Sequence, residues 1–112
     1  MKSKTVSKED IKKAMLPVLE KGGARRAILF GSYARGEANQ YSDIDLIIIA
    51  ESERPFIERF KDFPALRHVS PVKAMDIIVY TPSEFQRMQA EENLFISRAL
   101  KEGESIYEAE PI

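Results

Sequence analysis

The chain has 112 residues, no cysteine, and 17 basic against 18 acidic residues, for a formal net charge of −1. This excludes a disulfide scaffold and a thiolate metal site, and the absence of any Lys/Arg block argues against a non-specific grip on nucleic acid. Hydrophobic residues at 44% and charged residues at 31% are those of one folded domain spanning residues 1–112. The apolar runs fall short of the roughly 20 residues a membrane span needs. The N-terminal MKSKTVSKEDIKK has no apolar signal core, so a cytoplasmic protein is expected.

Ser7 and Asp10 form a weak capping box, and Ile11, Met15, Val18 and Leu19 recur at helical spacing. They predict a first helix over residues 8–21, ended by Gly22-Gly23. Pro17 falls inside it and should kink it or fix a later start. RRAILF, residues 25–30, reads as a short strand broken by Gly31-Ser32, after which ARGE suits one helical turn and ANQYS a loop. Residues 44–50 form a second, strongly β-prone strand. From Arg54 to Leu66, Phe56, Ile57, Phe60 and Phe63 make a helical stripe, expected to serve the core rather than an interface. VKAMDIIVY, residues 72–80, is the third strand. Thr81, Pro82 and Glu84 cap a helix reaching about Ala90; another helix covers 92–102 and stops at Gly103; SIYE suits a short edge strand. Strands one and two are joined by about a dozen residues without a full crossover helix. The fold class is therefore α+β (mixed α/β), a small mixed sheet with helices on at least one face.

The chemistry concentrates in FGSYARGEANQYSDIDLIII, residues 30–49. On a strand, residues two apart point to one face, so Asp43 and Asp45 project together while Ile44 and Leu46 turn away. Two hard oxygen donors without His or Cys suit one or two Mg²⁺ or Mn²⁺ ions, and Mg²⁺ is usually shared with substrate phosphates. Gly31-Ser32 sits just ahead, between a strand and a helical turn, where the backbone can approach an anion. Arg35 lies one helical turn on, with a fork of donors for phosphate oxygen. Asp76 is a lone carboxylate in an aliphatic strand, a costly position unless it serves a purpose. If the third strand pairs with the second, Asp76 stands beside Asp43 and Asp45, as three carboxylates do around two metals in displacement at phosphorus. Asp76 is also placed to accept the proton of an attacking hydroxyl.

Gly31-Ser32, ten residues, then Asp43-Ile44-Asp45 resembles the signature of the DNA polymerase beta-like nucleotidyltransferase superfamily. The longer GSYARGEANQYSDIDLIII, with Asp76 inside MDIIVYTPSEF, is similar to its smallest members, the minimal nucleotidyltransferases. The resemblance runs from about residue 24 to the end. It implies the nucleotidyltransferase fold, with helices packed mainly on one face of the sheet. It also implies transfer of a nucleoside monophosphate, AMP from ATP, to a hydroxyl with two Mg²⁺ ions. Gly31, Ser32 and Arg35 then match triphosphate contacts, and Asp43, Asp45 and Asp76 the metal ligands. Minimal members are often paired with a small helical protein of the HEPN type as antitoxin and toxin. The implied acceptor is a tyrosine of that partner.

Blander readings stand beside these. Asp43 and Asp45 alone suit a strand-entry turn with solvated charges, and Arg35 alone a surface arginine. Glu84 reads as a helix cap, His68 as a solvated loop residue, and Tyr33 as a packed or exposed loop aromatic rather than one near the nucleotide. Lys73 is within reach of a phosphate or simply solvated. The competing function is a non-catalytic antitoxin that masks its partner sterically.

Overall fold

A computed structural model describes residues 7–39, 42–68 and 75–109. Helix α1 spans Lys8–Lys21. The Ser7 hydroxyl accepts the Asp10 amide at 3.0 Å, and Gly22 ends the helix. Ile11, Met15 and Leu19 form its buried stripe. The helix starts at Lys8 and contains Pro17, so the proline does not move its start. Strand β1 (Arg26–Phe30) is followed by the single turn α2 (Ser32–Arg35) and by β2 (Ile44–Ile49). Strand β3 covers Met75–Tyr80; the predicted residues 72–74, with Lys73, lie outside the described residues. Helices α3 (Pro82–Ala90) and α4 (Leu94–Glu102) lead to β4 (Glu104–Glu108).

The sheet order is β3-β2-β1-β4. Strand β1 runs antiparallel to β2 and β4, whereas β2 and β3 run parallel, so the sheet is mixed as the connections required. SIYE forms the expected edge strand. Alternation along β1 and β2 sorts the core into two clusters. Ala27, Leu29, Ile44, Leu46 and Ile48 join α1, Phe63 and Leu66 on one face. Ile28, Ile47 and Ile49 meet Phe85, Ile96 and Ala99 on the other. The larger cluster lies on the α1 face, and α3 and α4 also cover the second face.

The segment predicted as a helix over Arg54–Leu66 is different. It forms two 3₁₀ helices, Phe56–Asp62 and Pro64–His68, separated at Phe63. Pro55 and Pro64 bound the first piece, and a proline at residue 64 cannot supply the amide that an α-helix would need there. With three residues per turn, the residues that align are Phe56 and Arg59, not Phe56 and Phe60. The expected core stripe is therefore broken. Phe63 is buried, but Phe56 is 47% and Ile57 78% exposed.

Arg59 takes the buried position instead. Its guanidinium donates to both Glu84 carboxylate oxygens at 2.6 and 3.1 Å, to the Val79 carbonyl at 3.2 Å and to the Arg54 carbonyl at 3.1 Å. It lies 5.6 Å from the Phe56 ring centroid, and Phe56 stacks on Tyr80. Glu84 caps α3 as expected, exchanging bonds with Thr81 in a capping box. The Arg59 hydrogen bonds hold its carboxyl below the ordinary glutamate range, against the opposing effect of burial. The stabilisation this gives is full above the ordinary glutamate value of about 4.3 and is lost as pH falls through the depressed value. Replacing Arg59 with Met strands a half-buried carboxylate and should cost about 2–3 kcal/mol at pH 7 in denaturant unfolding. The cost should shrink towards pH 3 as Glu84 protonates. An Arg59→Met cost that is independent of pH would show that packing, not the ion pair, holds this segment.

Candidate active site

The β2–β3 register sets the site. Asp45 is the direct parallel partner of Asp76, with Ile44 opposite Met75 and Leu46 opposite Ile77. Ile44, Leu46, Met75 and Ile77 face the α1 cluster, so the two aspartates share the other face, as alternation predicts. Asp43 immediately precedes β2 and is exposed; Asp76 is exposed and Asp45 half-buried. Asp45's carboxyl is pushed above the usual carboxylate range, first by burial, then by the charge and hydrogen bonding of Asp76 and by the Asp43 charge. Arg35 opposes the rise. Asp76, Asp43 and Arg35 thus all act electrically on Asp45.

Gly31 backs directly onto this group. Its φ is +76°, in the region that favours glycine, and a Cβ placed on it would collide with the Asp45 carboxylate. The close neighbour that a side chain at Gly31 would have to displace is therefore Asp45 itself. The turn after Gly31 is fixed at both ends. The Arg35 amide donates to the Gly31 carbonyl at 3.1 Å. Gly36, at φ +74°, closes a Schellman motif in which the Glu37 amide reaches Ser32 and the Gly36 amide reaches Tyr33. Tyr33, 3% exposed, anchors the turn in the core, so of the two readings of this residue the packed one holds. Ser32 is half-buried at the start of the turn. Arg35 leaves its last position into solvent, paired with Glu37 at 3.0 Å.

The donor set fits a hard divalent cation: all oxygen, two carboxylates side by side and a third two residues away. Among the described residues no three such groups close round a point as a finished metal cage would. Mg²⁺ is usually held by only one or two carboxylates with its other ligands from elsewhere, which suits an open set. The His68 side chain lies outside the described features. No described helix is long and apolar enough to cross a membrane.

A cavity of about 290 Å³ opens beside the turn, between Phe30, Gly31 and Arg35 on one side and Phe95, Arg98 and Glu102 of α4 on the other. The α4 residues carry no motif. Their i, i+3, i+7 spacing places them on one helix flank, but only the packing of Ile96 and Ala99 on the sheet turns that flank towards Gly31.

The nucleotidyltransferase domain family matches residues 11–106, and the chain belongs to this family. A protein of Methanocaldococcus jannaschii that carries the name of a protein adenylyltransferase, MJ0435, is 49% identical over 39 residues. That stretch is 35% of this chain and 42% of the relative, so the match spans less than half of the relative's length. A solved structure described as a minimal nucleotidyltransferase is 27% identical, with a TM-score of 0.60, covering 86% of this chain and 89% of its own. A crystal structure of a toxin–antitoxin with AMP-PNP shares the fold at a TM-score of 0.64 and 17% identity, covering 88% of this chain and 74% of its own.

Two stability measurements check the geometry. Because Asp45's carboxyl is raised in the fold, its ionised form opposes folding above the ordinary aspartate value of about 3.9, and the penalty disappears below it. Asp45→Asn should therefore raise the metal-free melting temperature at pH 7 and give no gain at pH 3. Gly31→Ala should destabilise by about 1–2 kcal/mol or more, and by less in an Asp45→Ala background, where the colliding carboxylate is gone. Additive costs in that double-mutant cycle would refute the Gly31–Asp45 contact.

Proposed function

We propose that this chain is a Mg²⁺-dependent nucleotidyltransferase that moves AMP from ATP to a tyrosine hydroxyl of a small helical HEPN-type partner, acting in the cytoplasm as the antitoxin of a toxin–antitoxin pair. The observation that carries the reading is the pairing of Asp45 with Asp76, in register, against the Gly31 turn. Family membership supports the reaction class. The name of the adenylyltransferase relative and the toxin–antitoxin neighbour support the acceptor and the pairing.

Asp43, Asp45 and Asp76 would hold the metal. Bound Mg²⁺ or Mn²⁺ supplies a lowered pKa for the attacking hydroxyl and positive charge for the leaving group. Gly31 lets the triphosphate approach the backbone, while Ser32 and Arg35 donate to its oxygens. The acceptor oxygen attacks the α-phosphorus, the bond to the β-phosphate oxygen breaks, and pyrophosphate departs. Asp76, which is exposed on the edge strand β3, would take the hydroxyl proton. Leu94, 82% exposed, and its neighbour Phe95, which lines the cleft beside Gly31, would offer a partner an apolar contact.

Incubation with α-labelled ATP, Mg²⁺ and the co-expressed partner should add the mass of an adenylate to that partner. Asp43→Ala and Asp45→Asn should abolish the addition. Ser32→Ala should lower kcat/KM for ATP by an amount equivalent to about 1–3 kcal/mol, one hydrogen bond to a charged group. Tight partner binding with no mass change and no turnover of any NTP would replace this reading with a steric antitoxin.

A further inference from the structure

We infer that the cleft between the Gly31 turn and α4 receives the pyrophosphate end of the nucleotide, with Arg98 as a second cationic contact opposite Arg35. The inference rests on the nucleotidyl-transfer reading and extends it to residues outside the motif. The cleft begins where that reading places the triphosphate, because its lining includes Gly31 and Arg35, and Gly31 backs onto Asp45. At about 290 Å³ it is at the small end of ligand sites, with room for one end of a nucleotide rather than the whole.

Its charge favours phosphate. Asp43, Asp45 and Asp76 repel a polyanion, so its binding needs cations at the far end. The cleft is lined by two arginines, Arg35 from the turn and Arg98 from α4, and by one acid, Glu102, beside Arg98. Neither is committed to a strong partner: Arg35 meets Glu37 at 3.0 Å, and Arg98 meets Glu102 at 3.6 Å, both in solvent-exposed pairs. Such pairs are worth little, whereas a phosphate offers an arginine fork two oxygens at once. Phe30 and Phe95 meet edge to face at 5.5 Å. Engaged with each other in this way, the two rings do not form a parallel slot for a nucleobase, but they do line the cleft with apolar surface that strengthens nearby charge interactions.

Calorimetric titration of the full chain with Mg²⁺ and inorganic tripolyphosphate, and separately with AMP, tests this without turnover. Arg98→Gln should weaken tripolyphosphate binding by about tenfold, leave AMP binding unchanged and raise KM for ATP; Arg98→Lys should restore part of the loss. Glu102→Gln, which frees Arg98, should tighten tripolyphosphate binding. Wild-type tripolyphosphate affinity in Arg98→Gln would overturn the inference, as would a loss of AMP affinity in its place, which would make the cleft a nucleobase site. Intact transfer with a silent Arg98→Gln removes this inference alone. Arg98-dependent tripolyphosphate binding by a chain that transfers nothing removes the transferase reading and keeps the cleft.

Discussion

The parallel pairing of β2 with β3 is the constraint on which the rest depends. Strand β2 is buried along its length apart from Asp45, which is half-buried. Aliphatic side chains fill both faces, and a one-residue slip of this strand would put Asp45 where Leu46 lies, in the α1 cluster. An unpaired carboxylate there costs far more than a half-solvated one. The core therefore fixes the register, and the register brings two like charges together. Their mutual repulsion is carried by the packing around them, which leaves a site ready for positive charge.

The same economy appears at Arg59 and Glu84. A parallel pair needs a crossover, and here it includes two 3₁₀ pieces, the first of which buries Arg59 rather than an apolar side chain. One guanidinium fastens this segment to the end of β3 through the Val79 carbonyl and to α3 through Glu84. Glu84 in turn completes the cap of α3. A single carboxylate thus joins the crossover to the helix that closes the second face. Asp62 adds a smaller clasp, accepting from Ser52 at 2.5 Å and from Arg54 at 2.7 Å, which hold its carboxyl below the usual range.

The Gly31 turn shows how a motif acquires a second physical reason. Read as sequence, the glycine serves the approach of a phosphate. In the fold it also makes room for Asp45, so the Gly31 turn and this carboxylate are fitted to one another. Gly36 ends the turn after four residues, and this early stop brings Arg35 out beside the cleft rather than into a longer helix.

Sequence alone determined what depends on local chemistry. The Ser7 and Thr81 caps, the Gly22 stop and the one-turn helix after Gly31 all follow from short-range rules, and all are present in the fold. So was the family, because its motif lies in one continuous run. The tertiary structure decided three things. It broke the Phe56–Phe63 stripe, because two prolines and a buried Arg59–Glu84 bond outweigh a periodicity that presumes 3.6 residues per turn. It set Asp76 opposite Asp45, a register that depends on how two distant aliphatic strands pack. It also turned Phe95, Arg98 and Glu102 towards Gly31, more than sixty residues away in the chain. No local pattern encodes that placement, since it comes from the burial of Ile96 and Ala99 against the sheet.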